Sequence, residues 1–165
     1  MEKLDVYNAD RQKIRVINRG EQLLEGEYAL AVFAYIKNSK DEFLITKRSP
    51  AKKHFPNMWE VPHGCAQSGE SPLDGCIRET QEECGIILSK EKARLVSTFR
   101  NEKSQLIGEK FLFIQNLELS SLVLDRGEVA DAKFANINEI SEMNTLGIIQ
   151  DYIYNDVLQI INSLR

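Results

Sequence analysis

A chain of 165 residues that is 42% apolar and 28% charged, with 9 Gly and 4 Pro, can bury one packed core, and it falls outside the disordered, collagen-like and low-complexity classes. Its 21 Lys and Arg against 25 Asp and Glu leave a formal charge of -4, which argues against polymeric nucleic acid as the main partner and leaves a small phosphate ligand open. Residues 1–10 lack the apolar core of a secretory leader, and no run approaches the ~18 apolar residues of a membrane span, so a cytoplasmic location with no membrane partner is expected.

Strands are first predicted at residues 14–18, 28–37 and 42–47, short runs of β-branched and aromatic residues separated by turn-prone segments. Residues 30–36 are nearly all apolar, the pattern of a strand covered on both faces. The run from Lys47 to His54 is rich in cations and on its own reads as a solvated face. A helix follows. Ser71 can cap its free amides, Pro72 suits its first position, Asp74 takes the capping-box place, and Gly85 can adopt the left-handed conformation that ends it. Leu73, Cys76, Ile77, Thr80 and Cys84 form its apolar stripe, while Arg78, Glu79, Glu82 and Glu83 fall mostly on the other side. Strands are predicted again at 94–100, 110–116 and 132–136. Leu146, Ile149, Ile153, Val157, Ile160, Ile161 and Leu164 recur at three- and four-residue steps, which predicts one amphipathic C-terminal helix closing the core. Cys65, Cys76 and Cys84, an odd number without C-x-x-C spacing, read as reduced thiols.

Glu79 stands one helical turn from both Glu82 and Glu83. At a separation of about 5–6 Å and an effective dielectric near 20, each like pair repels by roughly 3 kcal/mol. Such a face is either solvated, with Arg78 relieving the repulsion, or built for a cation. Mg²⁺ is the hard ion that takes carboxylate oxygens and keeps waters for substrate phosphates to replace.

Gly64, five residues, Glu70, seven residues, then Arg78-Glu79-Thr80-Gln81-Glu82-Glu83-Cys84-Gly85-Ile86 resembles the Nudix box, G-x5-E-x7-R-E-U-x-E-E-x-G-U, over residues 64–86. Seven fixed identities at about 6–7% usage each coincide by chance about once in 10⁶ such chains. The flanking elements look like the rest of a Nudix domain from about Tyr28 onward. The resemblance implies an α/β (α+β) fold, an α/β/α sandwich around a mixed β-sheet, with residues 1–165 forming one domain. It also implies a Mg²⁺- or Mn²⁺-dependent hydrolase that cleaves the diphosphate linkage of a nucleoside diphosphate derivative or related small organic diphosphate. Glu79, Glu82 and Glu83 would then hold the metal, joined by the backbone carbonyl of His63, with Glu79 either a third ligand or the group that orients the attacking water. Glu70 would pair with Arg78 to fix the loop on the helix, and Gly64 and Gly69 would let that loop turn tightly. Thr80 stands at an aliphatic position of the pattern. His63 stands where many members have Gly, and its ring is either a packed loop side chain or a substrate contact.

Arg48-Ser49-Pro50-x-Lys52, followed by Pro56, Trp59 and the box, is similar to the branch containing isopentenyl diphosphate isomerase and its hydrolase relatives. In that branch the matching Arg and Lys contact diphosphate oxygens, which makes Arg48 and Lys52 candidate phosphate ligands. Residues 1–27 resemble the branch's leading hairpin, and with apolar edge strands they leave a homodimer open. The positions of the isomerase's catalytic Cys and metal-binding His hold His63 and Cys65 here, so hydrolysis is expected rather than isomerisation. A module that binds nucleotide without turnover is the other alternative. Gly127-Glu128-Val129 and the residues after it look like the family's E-V-x-x-x-x-W segment with Phe134 for Trp, so Glu128 is the candidate for a further ligand or base, with Glu102 and Glu109 behind it. Trp59 either lines the cleft or packs.

Overall fold

The computed structural model describes residues 1–164. Its elements run β1 (Lys3–Tyr7), β2 (Lys13–Asn18), β3 (Tyr28–Lys37), β4 (Phe43–Arg48), β5 (Trp59–Glu60), β6 (His63–Cys65) and α1 (Pro72–Cys84). They continue through β7 (Arg94–Asn101), β8 (Leu106–Ile114), β9 (Val129–Ala135), α2 (Ile137–Thr145) and α3 (Asp151–Ser163).

Every residue of β3 from Tyr28 to Ile36 is buried because both faces of this strand are covered. Leu30, Val32, Ala34 and Ile36 pack in the layer that holds Cys76 and Cys84 of α1, while Ala31, Phe33 and Tyr35 pack with Ile140 of α2 and Ile153, Val157 and Ile160 of α3. The result is the expected three-layer α/β/α arrangement. One edge of β3 takes β8 in parallel over the whole strand. The other edge takes three short antiparallel partners in turn: β1 at Tyr28 and Ala29, β6 at Ala31 to Phe33, and β4 at Lys37. Because β4 meets β3 only at that end, it is free to pair with β5 and β9, which carries residues 46–60 over the mouth left beside β6.

The box helix forms as its sequence signals predict. Ser71 Oγ accepts the Asp74 N–H at 3.1 Å, and Gly85 ends the helix at φ 69°. The C-terminal prediction needs correction, since the apolar period over 146–164 is not one helix. Asn136 caps α2 in a reciprocal capping box with Glu139, a turn through Gly147 at φ 66° ends it, and α3 starts anew at Asp151. Leu146, counted on the apolar face, is 71% exposed, and Ile149 is buried through a bridge to Trp59 rather than through a helix. Three strands, β1, β5 and β6, were not among those predicted from β-branched runs, being short or polar and formed only because another strand offers an edge, β3 to β1 and β6 and β4 to β5. The strand placed at 110–116 begins earlier, at Leu106, where its pairing with β3 begins.

One polar group holds the α3 layer. Lys110 Nζ lies 2.7 Å from both oxygens of Asp156, and the Tyr35 hydroxyl donates to the same carboxylate. Replacing Asp156 with Ala leaves a mostly buried ammonium without its partner, so urea denaturation is expected to show a loss of about 3–5 kcal/mol. Among the described residues no helix is long and apolar enough to cross a membrane.

Candidate active site

β6 links the sheet to α1. Ala34 N–H donates to Pro62 C=O and Ala66 N–H donates to Leu30 C=O, so the intervening His63 and Cys65 turn their amides and carbonyls away from β3. There they meet α1: the His63 N–H donates to Glu83 Oε2 at 3.3 Å, and Cys65 C=O accepts from Arg78 Nη2 at 3.0 Å. Gly64 sits between them under Glu79. A Cβ at Gly64 would fall 2.1 Å from Glu79 Cδ and 2.4 Å from Oε2. Gly64 is therefore a site of close approach within a strand and not the tight turn expected of it; the turn belongs to Gly69, at φ 86°. Because the clash at Gly64 is with a movable side chain, Gly64→Ala is expected to fold while displacing Glu79, lowering turnover by about 10²-fold, as steady-state kinetics beside a thermal melt will read.

Arg78 organises the exposed side of this cluster. Its Nε and Nη2 hold the two oxygens of Glu70 at 2.8 and 3.0 Å, the pairing expected from the sequence, while Nη1 lies 2.9 Å from Glu79 Oε1 and 2.9 Å from Glu82 Oε2. Glu79 and Glu83 are both 8% exposed and Glu82 is largely exposed, so the three box acids occupy different environments. Among the described residues no three His, Cys, Asp or Glu side chains already converge as a metal cage, since Glu79 and Glu82 each turn one oxygen to Arg78.

Glu83 faces inward to a second group of charges. Its carboxyl is pushed well above the ordinary range, first by burial and then by the neighbouring Glu60, Glu79 and Glu128; the His63 N–H acts against this. Glu60 was not identified from the sequence. It is 5% exposed, its Oε1 lies 2.8 Å from Arg48 Nη1 and 3.6 Å from His63 Nδ1, and burial pushes its carboxyl up to about 7 against the pull of Arg48 and Lys52. The signal that finds it is the β4–β5 pairing, which brings Arg48 and Glu60 together across a loop whose length gives no hint of it.

Arg48 and Lys52 both reach this centre, and each is already paired. Arg48 Nε also donates to His54 C=O at 3.0 Å, leaving Nη2 without a partner among the described residues, and Lys52 holds Glu128. The His63 ring stacks on Phe33 with centroids 5.3 Å apart, its Nδ1 is buried without a hydrogen bond, and burial together with Arg48 lowers its pKa to about 4. It is thus a neutral packed ring beside the acids. Glu102 and Glu109 are engaged elsewhere, with Tyr28 and Arg100 in one case and Arg11 in the other. Trp59 packs against the α2–α3 layer, with the Lys133 ammonium 5.1 Å from its ring.

The NUDIX domain matches residues 27–157. An uncharacterized Nudix hydrolase of Listeria monocytogenes is 31% identical over 93% of this chain and 91% of its own length. The chain belongs to the Nudix hydrolase family. It is accordingly an enzyme of the class that hydrolyses diphosphate bonds, and its Nudix box is the Gly64–Ile86 segment described above. Solved structures agree on the fold. A Deinococcus radiodurans protein superposes with a TM-score of 0.78 at 21% identity, covering 96% of this chain and 98% of that one. The Nudix domain of Shewanella oneidensis NrtR, solved with ADP-ribose, gives 0.68 at 15% identity over 84% of this chain and 89% of that one.

Proposed function

We propose that this Nudix protein hydrolyses a nucleoside diphosphate derivative or related organic diphosphate with Mg²⁺, or Mn²⁺ in its place, held by Glu79, Glu82 and Glu83 beside the His63 carbonyl. The observation that carries this reading is the state of Glu83: a buried carboxylate with one 3.3 Å donor, facing three further acids. Such a group needs either a proton or a cation, and an all-oxygen donor set suits a hard divalent ion. The residues present fit the metal. When bound, it polarises phosphoryl oxygens and lowers the pKa of water.

The chain's own residues supply the remainder. Gly64 lets Glu79 lie against β6, and Arg78 spaces Glu79 from Glu82 while Glu70 fixes Arg78. Arg48, through Nη2, and Lys52 steady the anionic diphosphate on the side of Glu60 and Glu128. Water's oxygen bonds to phosphorus, the bridging P–O bond breaks with its electron pair on the leaving phosphate, and Glu79 or Glu128 takes the proton. A panel of ADP-ribose and other nucleoside diphosphate derivatives, with prenyl diphosphates included for the likeness of Arg48 to Lys52 and the leading hairpin to the isomerase branch, tests the reading by phosphate or monophosphate release. Rearrangement without release, or binding without turnover, would replace it.

The pH dependence has a defined sign. Metal uptake requires ionised carboxylates, burial raises the pKa values of Glu79 and Glu83, and burial pushes that of their neighbour Glu60 up to about 7 from an ordinary 4.5. A raised acid stabilises the metal-free fold fully below 4.5 and loses that contribution as pH rises through about 7; His63, lowered from 6.5 to about 4, works in the opposite direction, stabilising above 6.5. The thermal shift produced by saturating Mg²⁺, read as the difference with and without metal, is therefore expected to grow as pH rises from 4.5 to above 7. A shift that shrinks over that range would contradict the assignment.

A further inference from the structure

The family match starts at residue 27, so the β1–β2 hairpin lies outside it, yet β1 is bonded to the loop that leads into α1. Lys3 C=O accepts the Ser68 N–H at 2.8 Å, and Asp5 Oδ2 accepts the Gly69 N–H at 3.1 Å. Leu4, Val6 and Ile17 form a small apolar cluster against which Leu23 and Cys65 pack. Asp5 is 6% exposed, an expensive position for an acid on an appended strand. Its second oxygen, Oδ1, lies 2.8 Å from the half-exposed Lys13 ammonium. Burial pushes the Asp5 carboxyl up, but Lys13, Ser68 and Gly69 together hold it below its ordinary value, so it is ionised at neutral pH. An ionised carboxylate accepting a backbone N–H makes one of the stronger hydrogen bonds available to a protein.

The bond falls on the loop that carries Glu70. Gly69, in a left-handed conformation that glycine adopts without strain, immediately precedes Glu70. Glu70 holds Arg78, and Arg78 spaces Glu79 and Glu82 and binds the Cys65 carbonyl. A run of direct contacts therefore leads from the hairpin to the box acids: Asp5, Gly69, Glu70, Arg78, Glu79. Asp5, Gly69 and Glu70 lie outside the hydrophobic clusters, so loosening that end of the run alters the spacing of the acids more than the fold.

We propose that Asp5 is a positioning residue for the carboxylate cluster: through Gly69 it fixes the loop before α1 and thereby sets the protein's affinity for its divalent ion. This rests on the metal-holding reading above. The test measures Mn²⁺ dissociation constants by calorimetry, together with melting temperatures, for wild type, Asp5→Ala, Asp5→Asn and Lys13→Ala. Asp5→Ala removes the acceptor and is expected to weaken Mn²⁺ binding about tenfold, the low end of what loss of an outer support of a metal site costs. Asp5→Asn keeps an oxygen for the Gly69 N–H and is expected to stay within about threefold of wild type, while Lys13→Ala, which only unfastens the carboxylate, weakens binding about threefold. A merely structural Asp5 would lower the melting temperature and leave the dissociation constant of the folded protein unmoved, which overturns the proposal, as does equal impairment by Asn and Ala. Should Asp5→Ala fail to fold, Lys13→Ala decides: binding indistinguishable from wild type overturns the proposal. Wild-type protein that takes up no Mn²⁺ overturns this inference and the metal-holding reading together, whereas failure of the variants alone overturns only this one.

Discussion

Glu83→Gln is expected to lower kcat for Mg²⁺-dependent diphosphate hydrolysis by about 10³-fold or more while the domain remains folded. The amide matches the carboxylate in shape, so the packing around this residue survives, and it can still accept the His63 N–H at its oxygen. What disappears is the charge. In the metal-free protein burial and the neighbouring Glu60, Glu79 and Glu128 all work against that charge, so its removal relieves repulsion wherever Glu83 is ionised and the variant is expected to melt no lower than wild type. Addition of Mg²⁺ should then raise the wild-type melting temperature and leave that of the variant nearly unchanged. Glu82→Gln is expected to lower turnover similarly, but Glu82 is largely exposed and its metal-free stability should barely move. The contrast between the two variants separates a buried ligand from an exposed one, and turnover retained in both would remove the metal assignment.

Arg78→Ala is expected to cost about 3–5 kcal/mol in urea denaturation and to abolish turnover as well. The guanidinium is mostly buried and is the common partner of Glu70, Glu79, Glu82 and the Cys65 carbonyl, so its loss strips the cation from a group of acids of which Glu79 is buried. Arg78→Lys retains the charge without the planar fork. A single ammonium cannot hold both Glu70 oxygens and the Cys65 carbonyl together with two further acids, so this variant is expected to recover much of the stability and little of the activity. Full activity in Arg78→Lys would show that charge alone, and not spacing, is what the α1 acids need.

The parts of the molecule legible in the sequence are those set by local chemistry. Ser71, Pro72 and Gly85 write both ends of α1 into three residues, and the apolar run of β3 declares a strand covered on both faces. The parts that were not legible depend on partners far away in the chain. Periodicity joined Leu146 and Ile149 to the true helical face of α3 because a bridge to Trp59 buries Ile149 as effectively as a helix would, and the stop at Gly147 and the cap at Asn136 were the local signals that outrank it. Glu60 was overlooked because an isolated acid in a loop carries no pattern; its place opposite Arg48 exists only once β4 and β5 pair. Glu70 and Arg78 were legible as a pair from their spacing in the box, whereas Asp5 beneath Gly69, 64 residues away in sequence, was not. Gly64 was read from the sequence as a turn residue, whereas the packing of α1 against β6 brings it into close contact with Glu79.

On the reading proposed above, the acids of α1 take up a divalent ion beside the β6 edge. Crystals of the protein soaked with Mn²⁺ and measured at the manganese absorption edge test it most directly. An anomalous peak within coordination distance of Glu79, Glu82 and Glu83 is the predicted result, and a folded, Mn²⁺-saturated crystal with no peak beside those three side chains would contradict it.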